Sequence, residues 1–260
     1  MPGTGASVTS IKCRWENGVQ LFYDPYLMET VHAMAPVWWK DDFIGHQIGV
    51  GSLGNTADTW EVVDVNDASE ALLADTATGI FTLNLAATDE AEDAVLYFGD
   101  QTVLNALDDL NFECKLAVHT TPGTGVAAVW GLAGDHNLDK DTIAVNAWFR
   151  LQAGLDLLVE TDDVTTNDDD NDTTINLVED AFHVYRIDMS DLSDVKFYVD
   201  GVRQLGTSAF DMSALTGATG TTGLMQPYFS LDKASGTGLG SLYIDYVAFW
   251  GRRTSYVDNS

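Results

Sequence analysis

Acidic side chains carry most of the chemistry this sequence could perform. The densest run is Asp162–Asp172, DDVTTNDDDND, in which Asp168, Asp170 and Asp172 alternate and Glu179 stands twelfth from Asp168. That spacing is the register of a calcium-binding EF-hand loop. Position six, however, is Thr173 where the sharp turn needs glycine, and no helix is predicted before it. What remains is an adventitious Ca²⁺ site at Asp168, Asp170 and Asp172, or a solvated hairpin tip between DLLVE and INLVE. A second oxygen-rich stretch, GDHNLDKD, holds Asp135, Asn137, Asp139 and Asp141 and reads as a solvated turn. His136 within it, and His119, have no Ser or Cys partner in sequence, so both are expected to stabilise turns. His183 alternates with Tyr185 and Ile187, which predicts a packed or interfacial ring. There is no Gly-x-Ser-x-Gly elbow to present a nucleophile. Cys13 and Cys114 are far apart, with no CxxC pair. They read as two buried thiols, and spacing alone leaves a disulfide between them open. In KFYVDGVR (Lys196–Arg203), Asp200-Gly201 is a hairpin turn, with glycine supplying positive φ.

Composition narrows the function classes. Across 260 residues, 12 Lys+Arg face 40 Asp+Glu, a formal net charge of −28. Such a surface repels phosphate backbones, which excludes nucleic acid as a partner. It serves solubility, or it attracts divalent cations or a basic partner. No apolar run approaches the roughly 18 residues of a membrane span. The opening MPGTGASVTS has neither a charged n-region nor an apolar stretch, so no signal peptide is expected.

Elements that could position these residues follow from period two. LNFECKLAVHT (Leu110–Thr120) sets Phe112, Cys114, Leu116 and Val118 against Glu113, Lys115 and His119. Further strands are predicted over Gly125–Gly134, Thr142–Gly154, Asp156–Asp163, Phe182–Ser190, Val195–Leu205, Met225–Lys233 and Gly240–Trp250. Glycine- and Asp-rich turns separate them, and many short strands of this kind make an all-β sandwich or jelly roll. SIKCRWENGVQLFYDP reads as a hairpin turning at Asn17-Gly18. Residues 1–36 therefore form an N-terminal arm ahead of a domain over 37–260. An arm of this kind covers a sheet edge or reaches a neighbour.

WKDDFIG (Trp39–Gly45), KFYVDGVRQL and SLYIDYVAFW (Ser241–Trp250), in that order, resemble the concanavalin A-like lectin/glucanase jelly-roll family. The resemblance implies that the opening strand pairs with the terminal one. SIKCRWENGVQLFYD, MAPVWWKDDFIG, GLAGDHN, FHVYRID, FYVDG and GLGSLYIDYVAFW together look like a group of tailed-bacteriophage virion proteins that carry a hairpin arm before such a domain. That similarity implies a non-enzymatic capsid decoration or cement protein on the capsid exterior, in contact with the major capsid protein and with sister copies, as a homo-oligomer for which a trimer suits capsid geometry. Trp15, Phe22, Tyr23 and Tyr26 on the arm are the expected docking residues, because aromatics anchor interfaces.

Two other functions are open to the fold. Its glucanases carry a Glu-x-Asp-x-x-Glu strand, and retaining hydrolysis needs two carboxyl groups roughly 5–5.5 Å apart. The nearest match places Glu160 and Asp162 correctly but has Thr165 where the acid/base should stand, so no catalytic residue is assigned. A glycan-binding adhesion module would use aromatic stacking platforms, for which Trp130, Trp148 and Tyr228 are candidates, although their alternation also suits core positions.

Overall fold

The structure, a computed structural model, describes residues 11–44, 60–73, 79–217 and 223–252. The opening MPGTGASVTS and Gly45 of the WKDDFIG motif lie outside the described residues. Three short strands come first: β1 (Lys12–Glu16), β2 (Val19–Tyr23) and β3 (Thr30–Met34). Next come β4 (Val37–Asp41), β5 (Glu61–Val65), β6 (Ser69–Leu72), β7 (Phe81–Leu85), β8 (Glu92–Tyr97) and β9 (Leu104–Asn105). The longer strands follow: β10 (Asn111–Thr120), β11 (Val126–Ala133), β12 (Val145–Gln152), β13 (Asp156–Asp163) and β14 (Asn167–Asn176). The chain closes with β15 (His183–Asp188), β16 (Lys196–Val199), β17 (Val202–Arg203), β18 (Leu224–Lys233) and β19 (Gly240–Gly251).

Two antiparallel sheets form the sandwich. The first runs β17-β16-β15-β10-β19-β7-β6, with β4 also on β19; the second runs β14-β13-β12-β11-β18-β8-β5, with β9 on β18. This is the jelly roll expected from the alternation. The opening strand does pair with the terminal one, Asp41 opposite Val247 and Trp39 opposite Phe249. Phe112, Cys114, Leu116 and Val118 all enter the core between the sheets, alongside Trp130, Phe149, Tyr185 and Phe229. Each such side chain, fully buried, stabilises the fold by about 1.5–3 kcal/mol. At Asn17-Gly18 both residues have positive φ, 47° and 78°, the geometry a two-residue hairpin with the right twist requires.

Three expectations are corrected. The run Asn167–Asp172 is not a loop tip: it lies in β14, the edge strand of the second sheet, and only residues 164–166 separate it from β13. Thr173 is buried there and donates to the Leu157 carbonyl, so pairing with β13 overrides the turn propensity of Asp and Asn. GDHNLDKD is only partly solvated, because Lys140 within it is buried. Cys114 is buried as expected, whereas Cys13 is exposed, and both are free thiols.

Candidate functional site

The arm is a three-stranded sheet, β1-β2-β3, lying across the first sandwich sheet. Period two divides its residues. Arg14, Leu21 and Ala33 face each other across the strands on one side; Trp15, Gln20 and Met34, with Cys13, Phe22 and His32, occupy the other. The inner side is closed by apolar contact, where Val19, Leu21 and Ala33 pack on Trp250 with Trp38 at the margin.

A set of polar contacts fixes the arm as well. Thr30 gives both its backbone N–H and its hydroxyl to the Glu113 carboxylate, each at 2.8 Å. Tyr246 donates to the same carboxylate at 2.8 Å. Burial pushes the Glu113 carboxyl up, and these donors pull against that shift. Lys115 bridges Glu29 of the arm and Asp245 of β19, at 2.7 and 2.8 Å. Arg186 of β15 reaches Glu16 at 2.8 Å. The arm therefore covers the outer face of β10, β15 and β19 rather than a sheet edge.

Its outward side and the turn after β2 expose large apolar residues among polar ones such as Gln20 and His32. Trp15 is 71% exposed and Tyr26, in the turn after β2, is 82% exposed; Leu27, Val31 and Met34 are exposed beside them. Phe22 is half-buried on the same side as Trp15, with the His32 ring centroid 6.5 Å away. Tyr23 falls on the opposite side by alternation, and the Arg14 guanidinium stands 4.7 Å above its ring.

The second sheet carries a polar layer on its face away from the core. One cross-strand row reads Glu160, Trp148, Gly131, Tyr228, Tyr97. Gly131 is required at its centre, since a Cβ there would come 2.4 Å from the Ala147 carbonyl oxygen and 2.7 Å from Trp148 Cα. Trp148 Nε1 donates to Glu160 at 2.6 Å, and Arg150 bridges Glu160 and Asp141 at 3.0 and 2.6 Å. Burial raises the Glu160 carboxyl to about 7, against the opposing pull of Arg150.

The segment between β11 and β12 lies over this row. His136 Nδ1 meets the Tyr228 hydroxyl at 2.7 Å, and Lys140 makes a buried ion pair with Asp93 at 2.9 Å. Burial, with Lys140 nearby, holds the His136 imidazole below its usual pKa. Trp130, Trp148 and Tyr228 are all buried, Trp130 in the core and the other two beneath this segment, so none offers a ring face for glycan stacking.

Glu160 and Asp162 do share a face of β13, as the glucanase-like spacing requires. Thr165 sits exposed in the turn beyond and supplies no carboxyl group. Asp168, Asp170 and Asp172 do not converge as ligands: Asp170 accepts from Gln152 and Asp172 from the Thr174 N–H. Among the described residues no group of three His, Cys, Asp or Glu side chains could hold a metal ion. His119 stacks on Tyr243 at 4.2 Å and meets Asp180, and His183 meets Asp200 at 2.7 Å; both are surface pairs.

The sequence alone did not single out Asp93, Lys140, Arg150 or Asp232 in this layer. The one legible signal was charge at strand positions that should alternate with core.

No family model and no curated protein matches the chain. Among solved structures, a Shewanella oneidensis MR-1 protein of unknown function superposes with a TM-score of 0.58 at 13% identity, over 86% of this chain and 89% of that one. The carbohydrate recognition domain of Emp47p superposes with a TM-score of 0.50 at 12% identity, over 80% of this chain and 93% of that one. At such identities the likeness is one of fold, and that fold is the concanavalin A-like jelly roll.

Proposed function

We propose that the protein is a non-enzymatic structural component of a tailed-bacteriophage virion, a capsid decoration or cement protein on the capsid exterior. Residues 1–36 serve as the docking arm and residues 37–260 as the carrier domain. The observation that carries this reading is the arm, on which Trp15, Tyr26, Leu27, Val31 and Met34 are all exposed on a molecule whose net charge is −28. Exposed aromatic and apolar residues grouped on one element mark an interaction surface. Its partners are the major capsid protein and sister copies, with a trimer as the assembly. Repetition on a symmetric lattice gives avidity from individually weak contacts. The acidic remainder keeps particles apart in solution. Neither nucleic acid nor a membrane is a partner, and no described helix is long and apolar enough to cross a bilayer.

The test is the double variant Trp15→Ala, Tyr26→Ala, mixed with capsids stripped of the protein and sedimented. Occupancy at least tenfold lower, with an unchanged circular dichroism spectrum, is expected; native occupancy would overturn the reading. Glycan binding is the alternative that the fold allows. It needs solvent-facing rings, and the three rings considered for stacking are buried. Binding on a glycan array that survives the arm double variant would favour that alternative.

A further inference from the structure

Beside the segment covering the second sheet lies a cavity of about 440 Å³, open to solvent and remote from the arm. Val65, Leu138 and Ala234 give it apolar walls, with Leu138 itself 61% exposed at the mouth. Asp232 and Asp139 supply carboxylates to the same cavity. The three cations nearby are already matched: Lys140 pairs with Asp93 at 2.9 Å, Lys233 with Glu92 at 3.2 Å, and Arg150 with Glu160 and Asp141 at 3.0 and 2.6 Å. Asp232 is left over. It stands opposite Asp93 across β18 and β8. Its Oδ1 is buried without a hydrogen-bond partner. Burial pushes its carboxyl up to about 7, with Lys140 and Arg150 pulling against that shift and Asp93 adding to it.

We propose that this cavity binds a primary ammonium group on a short aliphatic chain, of the kind a lysine side chain presents, with Asp232 as its counter-ion and Asp139 at the rim. Three features select that chemistry. The surplus of two carboxylates calls for positive charge. The apolar walls suit an alkyl stem, since ammonium-bearing side chains bury their methylenes against apolar surface. Divalent metal is disfavoured, because no third carboxylate, imidazole or thiolate converges among the described residues. The strongly acidic surface also raises the local concentration of cations and speeds their arrival. This site is independent of how the arm docks.

The test is an amide NMR titration of the full chain with Nα-acetyl-L-lysine N-methylamide, with the Nε-acetylated compound as the uncharged control. Shifts are expected at Ala91, Asp232 and Ala234, with affinity for the acetylated control at least tenfold weaker. Asp232→Asn should weaken binding at least tenfold. Because that substitution touches a half-buried group, Ala234→Trp provides a second check by filling the cavity from its exposed rim. It should abolish the same shifts while the rest of the amide spectrum stays native. Equal binding of the acetylated control, undiminished binding by Asp232→Asn, or no binding by the native chain would each overturn the proposal.

Discussion

At Gly131 a single added methyl group meets backbone on the neighbouring strand at 2.4 Å, a contact that no rotamer change relieves. Gly131→Ala is therefore expected to cost about 1–3 kcal/mol, the usual cost of overpacking. Urea unfolding checks it, and a change under 0.5 kcal/mol would show that β11 and β12 can separate there. Asp200 acts differently. Its carboxylate accepts the Val184 N–H at 2.9 Å and meets His183 at 2.7 Å, tying the β16–β17 turn to β15. Burial opposes its ionisation, but these contacts win and hold the carboxyl below its ordinary value. A depressed carboxyl contributes stability above its unfolded pKa and loses it as pH falls through the folded pKa. Asp200→Ala should thus cost about 1–2 kcal/mol at pH 7. The gap from the native protein should close toward pH 3; a gap independent of pH would point to lost turn geometry instead.

Among the elements, β14 and the arm have separate tasks. β14 is an edge strand, and an edge offers unpaired N–H and C=O groups to any other chain. Its run of Asp and Asn places charge along that edge. Replacing Asp168 and Asp169 with Thr is expected to leave the fold intact while light scattering shows concentration-dependent association beyond that of the native protein; scattering equal to the native protein's would remove this role. The arm is held by apolar contact at Trp250 and by polar contacts to Glu113, Lys115 and Arg186. Deleting it would uncover that tryptophan and give Glu113, Lys115 and Arg186 to water in place of their arm partners. A lower Tm is expected, chiefly from the apolar surface uncovered. Point substitutions on the outward side are for this reason a cleaner probe of docking than truncation.

For the whole molecule, half-buried carboxyls with raised pKa values set the pH response. Burial raises Asp232 to about 7, with Asp93 adding to the effect. Burial and neighbouring Asp64 raise Glu70 to about 7 as well. Groups raised above their unfolded value keep the folded state protonated while the unfolded chain has ionised, so stability falls as pH climbs from about 4.5 through 7. Self-repulsion within a chain of net charge −28 acts in the same direction. Thermal unfolding should give a higher Tm at pH 5 than at pH 8, and the opposite order would mean that these carboxyls are already paired.

Period two in the sequence was enough to say which residues share a face, and the Asn17-Gly18 and Asp200-Gly201 turns were enough to say where strands reverse. Phe112, Cys114, Leu116 and Val118 went to the core for that local reason, and the jelly roll follows from many such strands. Alternation does not say what covers the opposite face. Glu113 and Lys115 alternate outward as expected, yet Glu113 is buried and Lys115 largely covered, because the arm lies on them. Trp148 and Tyr228 alternate away from the core and are also buried, because the segment between β11 and β12 lies over them. The acidic run became an edge strand through pairing with β13, a long-range contact that outweighs the turn preference of its residues. Covering and pairing join segments distant along the chain, so only the tertiary structure could place Asp232 in a cavity and Trp15 on the open side of the arm.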